Sequence, residues 1–301
     1  MVFIRVKTVK DIDYLYLVES KWDPSRKTST QKTIKYLGKA SDINIENIPI
    51  EYRNSPQILS KIKLKIKYNK KTQENENIKE QIFNALKNGE VEKILRIVKT
   101  YNSDKTLASF YDNILKQVLY EIGSLWEQNE LDIATEHVCS NIANKIIFLI
   151  NKLYKKNNEE KYKELNIVLC TPDGELHNIA CNIIESILLQ KGYKVYNISP
   201  SIPTESIIKY IKEINPSLIM ISVTLTDNIG SAKRLIKKIN SEFNIPILLG
   251  GQAITKYDLK EKEDIGKMNI NTKIIRNITL ETLTQVVRES IKMTIQNTIK
   301  Y

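Results

Sequence analysis

Cysteine is nearly missing from this chain of 301 residues: only Cys139, Cys170 and Cys181 occur, with no CxxC pair. So odd and scattered a set excludes a disulfide framework and a thiolate zinc site, and leaves three reduced, small apolar side chains. Histidine is scarcer. His137 and His177 are the only two, so chemistry that needs an imidazole has two places to go. Long apolar runs are absent as well. Stretches such as Ile146–Ile150 and Ile219–Val223 fall far short of the ~20 residues a membrane span needs. Arg5, Lys7 and Lys10 interrupt the start, where a secretory leader would be unbroken and apolar. A cytoplasmic protein without membrane contact is expected.

What is present is ordinary globular composition, 42% hydrophobic and 27% charged, enough to bury a sizeable core in two or three domains. The net charge of +11 is unevenly spread, with 16 Lys+Arg against 8 Asp+Glu in residues 1–75. A basic first quarter suggests an anionic partner, nucleic acid first. A coding bias toward Lys, Ile and Asn explains the charge equally well.

Three segments differ in period. Phe3–Lys7, Tyr14–Glu19 and Lys32–Leu37 are rich in β-branched and aromatic residues and predict a small antiparallel sheet. The alternation Lys61-Ile-Lys-Leu-Lys-Ile-Lys67 predicts a fourth strand with a lysine face, and polar residues 69–77 predict a linker. From 78 to 156 the spacing is helical, giving four amphipathic helices and a bundle over 77–157, the last helix starting after an Asp132 cap. In 163–301, strands at Leu165–Cys170, Lys194–Ile198, Leu218–Val223, Pro246–Leu249 and about Lys273–Ile275 alternate with helices near 179–191, 204–214, 229–241 and 279–298. Alternation of this kind predicts an α/β fold, a parallel sheet wrapped by helices, with ligands beyond the carboxyl ends of the strands.

Chemistry-bearing residues fall at those strand ends. Glu175-Leu-His177 follows the first strand, Ser222 and Thr224 the third, and Gly250-Gly251 the fourth. An imidazole is the commonest metal ligand, and a carboxylate on its other nitrogen fixes the tautomer. The first loop has no GxGxxG, which argues against a dinucleotide fold. In this order the residues resemble the cobalamin-binding domain of corrinoid proteins, which implies a flavodoxin-like, doubly wound sheet. The resemblance implies that His177 replaces the cofactor's own lower base on cobalt. It further implies that Glu175 and Ser222 relay the histidine's proton, that Thr224 lies in the same site, and that the glycines admit the displaced nucleotide tail. The usual Asp-x-His-x-x-Gly reads here Glu175-Leu-His177-Asn-Ile-Ala180.

In the bundle, Trp126 is followed after nine residues by Glu136-His137, with Ile133 between. That spacing resembles the cap of the B12-dependent photoreceptor regulators typified by CarH. The resemblance implies that Trp126, Ile133, Glu136 and His137 enclose an upper 5′-deoxyadenosyl group. Glu127 stands where those regulators have a cobalt-ligating histidine, so the light switch is altered or lost. The N-terminal strands loosely resemble the starts of insertion-sequence transposases.

The expected function is therefore a cobalamin sensor or transcriptional regulator without a catalytic domain, light-responsive if the cap retains that property. It would bind adenosylcobalamin and contact nucleic acid through residues 1–70, and copies would associate through the helical and cobalamin domains. The alternative is a corrinoid methyl carrier of a methyltransferase system, with methylcobalamin as the cofactor.

Overall fold

The computed structural model describes residues 2–10, 12–23, 28–53, 55–158, 165–256 and 271–298, and the chain divides into two compact units, Met1–Ile78 and Lys79–Tyr301. The first holds β1 (Val2–Val9), β2 (Ile12–Asp23) and β3 (Thr28–Lys39) as an antiparallel sheet in that order, with register shifts at Leu15/Tyr16 and Leu17/Val18. Its inner face carries Ile4, Leu15, Leu17 and Leu37, which pack on Ile48, Ile58 and Ile62.

Ile58 and Ile62 belong to α1 (Pro56–Lys87), which corrects two expectations at once. Lys61–Lys67 is helical and not a strand, and residues 69–77 continue the same helix and are not a linker. The physical reason is the i, i+4 spacing of the two buried isoleucines, together with the Lys, Gln and Glu of residues 69–77, all good helix formers. Tertiary burial of one stripe outweighs a period of two read locally.

In the second unit α1 ends at Lys87 and is followed by α2 (Val91–Asp104). The expected single third helix is α3 (Leu107–Phe110), a π-turn at Tyr111–Leu115, then α4 (Lys116–Glu127). α5 (Ile133–Asn158) starts as expected, Asp132 Oδ1 accepting from Thr135 N at 2.9 Å. Phe110, Ile114, Val118, Ile122, Ile146 and Ile147 are fully or almost fully buried.

Beyond the bundle run β4 (Asn166–Cys170), α6 (Ile179–Gln190), β5 (Lys194–Asn197), α7 (Thr204–Ile214), β6 (Leu218–Ser222), α8 (Ile229–Glu242), β7 (Ile247–Gly250), α9 (Gln252–Lys256), β8 (Thr272–Ile274) and α10 (Leu280–Thr298). All strand pairs are parallel, in the order β5-β4-β6-β7-β8. Alternate strand residues serve opposite faces. Ile219, Ile221, Ile247 and Leu249 pack with α7, α8 and α9, while Leu218, Met220 and Leu248 pack with α6 and α10. Each fully buried Leu or Ile contributes ~1.5–3 kcal/mol, so these two layers hold the sheet rigid. Strand order reverses between β4 and β6, the place at which open parallel sheets hold their ligands.

Candidate functional site

The loops after β4 and β6 meet at that reversal through one side chain. Glu175 is fully buried, and its carboxylate accepts five hydrogen bonds. Oε1 receives the His177 amide at 3.0 Å and faces His177 Nδ1 at 2.6 Å. Oε2 receives the backbone N–H groups of Thr224 and Leu225, each at 2.9 Å, and Asn228 Nδ2 at 3.0 Å. Burial alone would push this carboxyl up; the bonds from His177, Leu225 and Asn228 outweigh it and hold the group down at about 2.

An ionised carboxylate on Nδ1 orders the imidazole. His177 is held above its ordinary value first by the Glu175 hydrogen bond, against burial, with the charges of Glu175 and Glu136 adding to it. Its side chain is 52% exposed, and Nε2 is the nitrogen left for a ligand. The loop itself is fastened to its neighbour: Thr171 Oγ1 donates to Glu175 O at 3.0 Å, and Gly174 N donates to Ser201 Oγ at 3.0 Å. Gly174 has φ +85°, a conformation that favours glycine.

Ser222 stands apart from this network. Its Oγ is buried and has no hydrogen-bond partner among the described residues. The expected relay from Glu175 to Ser222 is therefore not formed, because Thr224, Leu225 and Asn228 already fill Oε2. Thr224 acts through its backbone. At Gly251 a Cβ would lie 2.2 Å from Val223 O, so the glycine lets β7 pass the end of β6. A Cβ on Gly250 would meet only Ile275, at 3.7 Å and beyond. Asn228 was missed from sequence, although a polar residue just ahead of the helix that follows a central strand was a usable signal.

On the bundle, Glu136 Oε2 faces His137 Nδ1 at 2.7 Å and Oε1 accepts from Ser140 Oγ at 2.6 Å. α5 packs on α6, the helix that follows His177, with Asn182 Nδ2 donating to Asn144 Oδ1 at 2.9 Å. Trp126 is 44% and Ile133 56% exposed, and Leu176 and Leu225, on the loops that hold Glu175, are also exposed. Leu176 and Leu225, exposed on the loops that carry the half-exposed imidazole, and the buried unpaired hydroxyl of Ser222 fit a large, flat, mostly apolar metal macrocycle with a polar tail.

Comparison with known proteins settles the type of domain. Residues 165–267 match the family model described as B12 binding domain, and residues 78–150 match a second model of the same description. These are B12-binding domains. The relatives of the B12-binding region are corrinoid proteins. Dimethylamine corrinoid protein 1 of Methanosarcina mazei is 20% identical over 60% of this chain and 85% of its own length. A corrinoid protein of Desulfitobacterium hafniense is 27% identical over 51% of this chain and 73% of its own. The monomethylamine corrinoid protein of Methanosarcina barkeri shares the fold, with a TM-score of 0.56 and 15% identity over 71% of this chain and 99% of that one. Neither B12-binding model reaches residues 1–77, and these matches support neither a photoreceptor nor a transposase. Among the described residues no helix is long and apolar enough to cross a membrane.

Proposed function

We propose that this chain is a corrinoid methyl carrier, in which residues 77–157 form the cap and 163–301 hold cobalamin with its own lower base displaced. The observation that carries the reading is the Glu175–His177 pair, preset at the strand-order reversal within a B12-binding domain. Bound cobalt supplies a centre that accepts and gives up a methyl group. Glu175 keeps Nδ1 of His177 paired, and Nε2 would be the atom that holds the metal. Ser222 Oγ and the space at Gly250 would suit the displaced tail, and the exposed Trp126 and Ile133, with Glu136, would hold the cofactor from the bundle. The cofactor's methyl group would pass between separate methyltransferase partners.

The carrier displaces the sensor and regulator as the leading reading. Its relatives are named for dimethylamine and trimethylamine systems. Glu127 offers no imidazole, and Nδ1 of His137 already faces Glu136. Binding titrations with methylcobalamin and adenosylcobalamin, followed by absorption in darkness and under green light, test it. A carrier binds both forms within about tenfold, and the product left after green light has cleaved the alkyl group carries no second protein imidazole on cobalt. A strong preference for adenosylcobalamin that disappears in Trp126→Ala would restore the sensor.

A further inference from the structure

The first unit presents a sheet face that the cofactor reading does not use. Residues directly opposite in an antiparallel pair share a face, and the register of β1, β2 and β3 therefore defines three rows. They are Phe3·Val18·Thr33, Arg5·Tyr16·Tyr36 and Lys7·Tyr14·Lys39. This is the face away from Ile4, Leu15, Leu17 and Leu37, the residues that pack on α1. Tyr36 lies 5.1 Å from Tyr16 and 6.3 Å from Tyr14, centroid to centroid, and is 50% exposed. The rows hold three cations and no carboxylate. Glu19 and Asp13 alternate away from them, Glu19 on Lys21 at 3.4 Å and Asp13 accepting from Thr8 Oγ1 at 2.8 Å.

Tyr36 is exposed, Tyr14 and Tyr16 are half-buried beside it, Val18 is buried at one end of the face, and the bordering charges are of one sign. We propose that this face binds an unpaired RNA strand, its bases stacking on Tyr14, Tyr16 and Tyr36 and its phosphates meeting Arg5, Lys7 and Lys39. Stacking needs bases out of a duplex, which selects a single strand. The phenol hydroxyls and the exposed Thr33 hydroxyl both donate and accept, which suits a ribose 2′-hydroxyl. The lysine stripe expected on a strand at 61–67 has no part in this: that segment is helical, and Lys61 Nζ donates to Ile4 O at 3.4 Å. The side chains of Trp22, Arg26 and Lys27 lie outside the described residues.

Fluorescence anisotropy with a labelled single-stranded RNA of mixed sequence and the full, cobalamin-free chain tests the proposal. Tyr16→Ala and Tyr36→Ala should each weaken binding about tenfold, and Tyr36→Phe should retain it. Three phosphate contacts predict a slope of about −2 for log affinity against log salt. Circular dichroism melting of each variant separates lost contacts from lost folding. His177→Ala should leave RNA affinity unchanged, which keeps this test apart from the cofactor reading. No RNA binding at ~50 mM salt, or equal affinity for duplex RNA or single-stranded DNA, overturns the proposal; so do tyrosine variants that fold and bind like wild type. The first result would leave the face to a protein partner.

Discussion

Glu175 is the residue on which the site depends, because one buried carboxylate ties two loops and orients a histidine. His177→Ala should reduce cobalamin affinity at least 100-fold and abolish the base-off, histidine-on spectrum, with the fold intact by circular dichroism. The cobalamin-free protein should also show the pair in its stability. Glu175 sits at about 2 against an ordinary 4.5, so its contribution is full above 4.5 and is lost as pH falls toward 2. His177 is raised above 6.5, so its contribution is full below 6.5 and fades as pH rises through the raised value. Glu175→Gln should flatten both limbs of a plot of urea midpoint against pH. Gly251→Ala should destabilise by more than ~2 kcal/mol, read from denaturant midpoints, since its Cβ has no room beside Val223 O.

At the scale of elements, the bundle meets the sheet domain through amides. Asn182 of α6 donates to Asn144 Oδ1 of α5 at 2.9 Å and accepts from Asn197 Nδ2 at 2.8 Å. Asn182→Ala strips a partner from both and should cost about 1–3 kcal/mol, seen as a lower melting temperature. How much of this was legible depends on the kind of signal. The three central parallel strands were readable because each is a short apolar run bounded by turn residues, and Asp132 because a cap is a local chemical event. The lysine-rich stretch at 61–67 was not, since its period of two conflicted with contacts from Ile58 and Ile62 to a sheet far off in sequence. The π-turn at Tyr111–Leu115 left no trace in hydrophobic spacing. Glu175 and His177 stood out by residue type and place; Asn228 and the amides of Thr224 and Leu225 join them only because β4 and β6 are neighbours, which is a fact of topology.

The whole molecule combines two units with separate cores, Met1–Ile78 and Lys79–Tyr301, and ligand linkage should show the division. Cobalamin at a hundred times its Kd should stabilise the unit that binds it by about 2.7 kcal/mol. Under the proposed reading, mass-spectrometric deuterium uptake should fall within residues 79–301 and stay unchanged in β1–β3. The bridge at Glu175 adds a finer expectation about time. The amides of His177, Thr224 and Leu225 come from distant parts of the chain, yet all three donate to the same side chain. Their protons should therefore trade with solvent at one shared opening rate, and Glu175→Ala should release all three together. Two loops so joined behave as a single latch, and under the proposed reading a cofactor arriving at His177 would meet loops already tied to one another.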